Sequence, residues 1–184
     1  MKATGVVRRI DDLGRVVIPK EIRKTLRIKE GDPLEIFTDK EGEVILKKYS
    51  PIGELSEFAT SYAETLAKTT GHIACITDKD TVIAVSGGSK KEFLEQGLSK
   101  QLEEVLENKE IYSSSDNNEI ALPITENDNK ERKYNAQVIY PIICQGDVIG
   151  SVILLAKEQN SKMGESEFKV LQSAAGFLGN QMDI

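Results

Sequence analysis

The first fifty residues hold their apolar side chains in short runs, "GVVRRI", "RVVIP", "PLEIF" and "EVILKKY", and only "PKEIRKTLRI" has helical spacing. Short apolar runs bounded by Gly, Pro and Asp read as strands. Fifty residues made of strands and one short helix bury too small a share of their surface to hold together alone. The stretch therefore has to share a core, and a dimer whose strands close one interior across two chains is the simplest way to do so.

Within it, Gly5 to Ile10 and Arg15 to Ile18 are expected as two strands joined by "DDLG", where Asp12 and Gly14 suit a tight turn and Pro19 stops the second strand. Pro19 then stands in the first turn of a helix with Ile22 and Leu26 on one face. Leu34, Ile36 and Phe37 run into a turn at "DKEG" and return through Val44, Ile45 and Leu46, a hairpin pattern.

"SPIG", residues 50–53, marks a boundary, so the chain divides into residues 1–50 and 51–184. Pro51 opens a helix that runs to about Thr70 and stops at Gly71, with Ile52, Leu55, Ala59, Tyr62 and Leu66 stepping by three and four. Two strands follow, "HIACITD" and "TVIAVSG", then a helical segment over residues 90–108, and then two polar loops, "SSSDNNE" and "TENDNKERK". "NAQVIYPIICQGDVIGSVILLA" reads as two strands around "QGD", hydrophobic enough for a sheet covered on both faces. The last helix opens at "MGESEF", with Gly164 as N-cap, Glu167 at N3 and Met163 placed to pack on Phe168. Its stripe is Phe168, Leu171, Ala175, Leu178 and Met182. The two helical stripes suit pairing with each other and with copies in another subunit, and they suit covering their own sheet equally well. The fold class is α+β.

Charge is distributed against the whole-chain balance of -6. Residues 1–50 hold twelve Lys or Arg against nine Asp or Glu, a surplus of three, which leaves the remainder at -9. Residues 1–29 alone stand at nine against three. Five of the six arginines, Arg8, Arg9, Arg15, Arg23 and Arg27, lie there. The planar guanidinium fork suits phosphate and guanine, so this choice favours a nucleic-acid partner. The competing account is a solvated face with arginines paired to Asp11, Asp12 or Glu21, pairs worth about 0–1 kcal/mol each.

Other chemistry is thinly represented. Cys75 and Cys144 lie in apolar runs without neighbours at metal-ligand spacing, which predicts reduced, buried thiols. The single histidine, His72, stands at a strand start, and there is no nucleophile elbow or phosphate-binding glycine motif. Ser86, Gly87 and Gly88 follow a strand and suit either a ligand's approach or a plain turn. No metal, cofactor or catalytic residue is expected. Without a long apolar stretch or signal peptide, a cytoplasmic protein with no membrane partner is expected.

"TGVVRRIDDLGRVVIPKEIRKTLRIKEGDPLEIF" with the closing "VILKKY" resembles the SpoVT-AbrB family of swapped-hairpin DNA-binding domains over the whole first domain. The resemblance implies two chains with interleaved hairpins and double-stranded DNA as partner. It places Arg8, Arg15, Arg23 and Lys24 on the DNA, with Lys2 and Arg9 in support. The second domain resembles a GAF domain, most clearly in "VIYPIICQGDVIGSVILLA". GAF domains commonly hold a small ligand, here unidentified, and this chain has no Cys or His placed to attach a chromophore. Together the two domains resemble those of a family of sporulation regulators. That implies activation and repression of late forespore genes, a nucleoid-associated protein, and a homotetramer in which N-terminal dimers are joined through GAF helices. Two rivals stand beside this reading. One is a swapped-hairpin antitoxin, which usually continues into a short disordered toxin-binding tail rather than a folded domain. The other is a GAF-fold reductase, which needs Cys75 and Cys144 to meet in a pocket.

Overall fold

The computed structural model describes residues 5–52, 56–114, 121–128, 134–156, 158 and 161–182. It divides into two compact units, Met1–Tyr49 and Ser50–Ile184.

In the first unit, α1 (Lys20–Thr25) follows Pro19, and β1 (Leu34–Thr38) and β2 (Val44–Lys48) form an antiparallel hairpin in which Ile36 faces Leu46. Asp39 closes its turn by accepting from the backbone N–H groups of Glu41 and Glu43. Residues 5–10 and 15–18, expected as strands, belong to no sheet among the described residues; the backbone bond there is the turn contact from the Asp11 N–H to the Arg15 carbonyl. The physical reason lies in what a strand is: its N–H and C=O groups need a neighbouring strand, and one chain supplies none here. Among the described residues of this unit no side chain is fully buried. Twelve large apolar side chains are exposed instead, among them Val7 at 86%, Val17 at 71%, Leu13 at 70% and Ile36 at 66%. Fully burying such a side chain from full exposure is worth about 1.5–3 kcal/mol, and because these are 38–86% exposed, covering all twelve supplies about 10–20 kcal/mol. That matches the roughly 4–15 kcal/mol lost on association. A second chain that covers most of them therefore stabilises the unit, and a lone chain has no core.

The second unit is a five-stranded antiparallel sheet in the order β4-β3-β7-β6-β5, built from β3 (Ile73–Thr77), β4 (Val82–Ser86), β5 (Tyr112–Ser113), β6 (Ala136–Cys144) and β7 (Asp147–Ala156). Alternation along the strands sorts the side chains to two faces. Ala74, Ile76, Val138 and Leu154 meet α2 (Ser56–Thr70) and α5 (Glu165–Gln181) on one face. Ile73, Cys75, Ile139 and Ile153 pack on the other with α3 (Lys90–Phe93), α4 (Lys100–Glu107) and the 121–128 loop. The expected sheet covered on both faces is therefore present. Gly150 lets β3 and β7 approach closely, because a Cβ there would stand 2.0 Å from the Thr77 carbonyl oxygen.

Local differences from the sequence expectation have definite causes. The segment 90–108 is two helices, because Glu95 takes a left-handed φ of 61° and residues 95–98 bond back to the chain instead. There Val82 exchanges backbone hydrogen bonds with Glu95 and Gln96, and Leu98 bridges Thr125. Ser99 then caps α4 through its hydroxyl, which accepts from the Leu102 N–H. The strand β5 is two residues long and leaves no periodic signature. The helix expected from Pro51 is described over Ser56–Thr70; Pro51 and Ile52 form a turn, and residues 53–55 lie outside the described residues. Ile52 is fully buried, and the Ser50 hydroxyl donates to Asp78, which pins the start of this unit. Both helical stripes cover their own sheet: Ala59, Ala63 and Leu66 of α2 and Leu171, Ala175 and Leu178 of α5 are buried against it.

Candidate nucleic-acid interface

The "DDLG" turn is built by the side chain of Asp11. Its Oδ1 accepts from the N–H groups of Leu13 (3.0 Å) and Arg15 (2.8 Å), and its Oδ2 accepts from Arg15 Nε at 2.8 Å. The backbone closes the same turn, with Asp11 N–H donating to Arg15 C=O and Gly14 N–H to Asp11 C=O. Gly14 takes φ +75°, a conformation that a side chain would strain. One carboxylate thus fixes both the backbone and the guanidinium of Arg15. The pair is the ion pair weighed as the alternative to DNA contact, yet the Arg15 side chain stays 69% exposed, so the contact holds the arginine out without hiding it. Asp11, which sequence reasoning placed only among salt-bridge partners, is the positioning residue of the loop. Its signal was present in the Asp that opens "DDLG", since an Asp side chain can accept from the backbone N–H two residues on, as Asp11 does from Leu13.

The other candidates lie before the turn and on α1. Arg8 and Arg9 are exposed on the unpaired segment that precedes the turn. Arg23 and Lys24 form the last turn of α1, where cations also oppose the partial negative charge of a helix C-terminus. Lys24 is exposed, whereas Arg23 is half-buried and its Nε is a buried donor without a hydrogen-bond partner. A buried N–H left unpaired is costly, so this atom is open to an acceptor that the described residues do not supply. Lys2 lies outside the described residues.

In the second unit Phe93, Tyr134, Leu98, Leu102 and Ile124 pack together on the sheet face opposite α2 and α5. Gly87 and Gly88 serve packing: added Cβ atoms would stand 3.0 Å from the His72 carbonyl oxygen and 2.9 Å from Ile73 Cγ2. Cys75 is fully buried, and burial pushes its thiol far above the usual range. Cys144, expected buried, is half-buried, because it pairs with Asp147 at the strand end beside the hairpin turn. The two thiols belong to opposite faces of the sheet. Cys75 lies level with Ile139, since both pair with Ile153, and Cys144 is five residues further along β6. At about 3.3 Å per residue the thiols cannot meet.

The profile of the family described as stage V sporulation protein T C-terminal, transcription factor, matches residues 54–183, and that of antidote-toxin recognition MazE, bacterial antitoxin, matches residues 7–54. The chain is 52% identical to stage V sporulation protein T of Bacillus subtilis, over 100% of this chain and 99% of the relative. Over 28% of this chain and 52% of the relative it is 63% identical to the transition state regulatory protein AbrB of the same organism. Among solved structures, the PixJ GAF domain of Thermosynechococcus elongatus superposes with a TM-score of 0.58 at 16% identity, covering 74% of this chain and 89% of that one. That likeness carries the fold of the second unit.

The Asp11 carboxyl is held below its usual value of 3.8, chiefly by the Arg15 N–H, then by the Arg15 side chain. A carboxylate depressed in the folded state stabilises the turn fully above its ordinary value, and the contribution is lost as pH falls through the lowered value. Following the Asp11 carboxyl carbon by NMR titration should give a midpoint below 3.8, with the Arg15 amide moving at the same pH. A midpoint at or above 3.8 would show that the clamp does not persist in solution.

Proposed function

From the membership of this chain in the stage V sporulation protein T family of transcription factors, we propose that it regulates late, forespore-specific genes as activator and repressor. It does so by binding double-stranded DNA, in the cytoplasm and on the nucleoid, through paired N-terminal units. The observation that carries this reading is the Asp11 clamp, which presents an exposed, oriented Arg15 within the basic stretch of an otherwise acidic chain. Arg8, Arg15, Arg23 and Lys24 are the proposed DNA contacts, with Lys2 and Arg9 in support. Without a long recognition helix, affinity arises mainly from phosphate contacts and sequence preference from a few arginines and DNA deformability. No catalytic role is proposed: the burial of Cys75 and the separation of the two thiols on opposite faces of the sheet count against the reductase reading. The antitoxin match is confined to residues 7–54, and the chain continues into a compact folded unit, Ser50–Ile184, rather than a disordered tail. We assign no ligand to the GAF-like unit.

For the assembly we propose dimers through the N-terminal units and a homotetramer through α2 and α5. The support is an aromatic stack across the outer side of these helices: Phe58, Tyr62 and Phe177, with ring centroids 5.8–5.9 Å apart. Phe58 remains 37% and Phe177 43% exposed. A second copy of the same surface buries them in a self-complementary contact, as twofold symmetry requires.

Two measurements test these readings. DNA affinity against salt should fall steeply for the wild type; in Arg15→Ala it should be weaker by about 1–3 kcal/mol, with a slope shallower by about one per arginine. Equal binding by both proteins removes Arg15 from the interface. In sedimentation, Phe177→Ser should convert tetramers to dimers with the fold unchanged; an unaltered tetramer places the contact elsewhere.

A further inference from the structure

The helix α1 ends in a way that suits glycine and finds arginine. The Arg27 N–H donates to the Lys24 carbonyl at 3.2 Å and the Ile28 N–H to the Arg23 carbonyl at 2.8 Å, the paired bonds of a Schellman termination. Arg27 occupies the position that takes the left-handed conformation, with φ +52°. Glycine adopts that conformation without cost, whereas a long side chain is strained there.

The surrounding chain is fastened so that the strain persists. The Arg27 carbonyl accepts from Lys48 Nζ at 3.1 Å, and the same ammonium is paired with Asp32 at 3.0 Å in a part-buried site. Asp32 also accepts from the Lys29 N–H at 2.7 Å. Residues 27–32 are thus bolted to β2 around a residue that local energetics would replace with glycine. Strained positions that the rest of the structure over-determines cluster at binding sites. This one directly follows Arg23 and Lys24, inside the stretch that concentrates the positive charge of the chain.

We propose that Arg27 is a further DNA-contacting residue, a guanidinium held in a left-handed backbone turn so that it joins Arg23 and Lys24 at the end of α1 on the phosphate backbone. The inference rests on the DNA-binding reading above. Its side chain has interactions within the chain as well, so the question is which role selects arginine.

Three substitutions separate strain from charge. Arg27→Gly removes both, Arg27→Ala keeps the strain and removes the charge, and Arg27→Lys keeps the charge without the fork. Thermal unfolding of the full chain and anisotropy of a labelled mixed-sequence DNA duplex against salt are read for each, with Arg15→Ala beside them. Arg27→Gly should melt no lower than the wild type, because strain is relieved. It and Arg27→Ala should bind DNA about tenfold more weakly, with a shallower salt slope, and Arg27→Lys should fall between. If Arg15→Ala weakens binding while Arg27→Gly and Arg27→Ala leave it unchanged, Arg27 is not on the DNA. A clear fall in melting temperature for Arg27→Gly also overturns the proposal, since the guanidinium then supports the fold. If Arg15→Ala itself binds like the wild type, the DNA reading fails and this inference with it.

Discussion

Everything in the first unit depends on apolar burial that one chain cannot complete. Val6, Val7, Val16, Val17 and Ile36 are large, exposed and close in sequence to the arginines. Exposed clusters of this kind mark contact surfaces, and at Val6, Val7, Val16 and Val17 they coincide with backbone that lacks strand partners among the described residues. Hydrogen bonding and burial therefore make the same demand for a second copy. Dimerisation is the folding step of this unit, so DNA affinity and stability are linked to chain concentration.

The arginines are positioned by small devices that work before any partner arrives. Asp11 organises the turn and aims Arg15, and Lys48 with Asp32 fastens the loop after α1. These contacts are partly exposed and contribute little to stability singly. Their effect is to narrow the orientations that a guanidinium samples, which lowers the ordering cost of binding phosphate. The second unit stands apart in its energetics, with two hydrophobic clusters on the faces of one sheet.

Much of this was legible in the sequence, because the signals were local. The β1–β2 hairpin, the sheet strands and the cap at Gly164, whose N–H donates to Glu167 at 2.7 Å, followed from turn residues, alternation and capping spacing. What escaped depended on tertiary contact. The break of the 90–108 segment depends on Val82 and Thr125, which are distant in sequence. The exposure of Cys144 depends on its place beside a hairpin turn, and no apolar run reveals that. The clamp by Asp11 was visible as a residue but not as a role, since an aspartate beside arginine reads equally as a surface pair. The two N-terminal strands were read from pattern, and their pairing is a property of two chains that one chain cannot display.

The most direct test is an isotope-filtered NOE experiment on refolded mixtures of labelled and unlabelled chains, read at the methyl groups of Val6, Val7, Val16, Val17 and Ile36. A core shared between two chains predicts strong NOEs between chains at these methyls and slow amide exchange over residues 5–18. NOEs confined within a chain, with those methyls facing solvent, would contradict the shared core on which the DNA-binding unit depends.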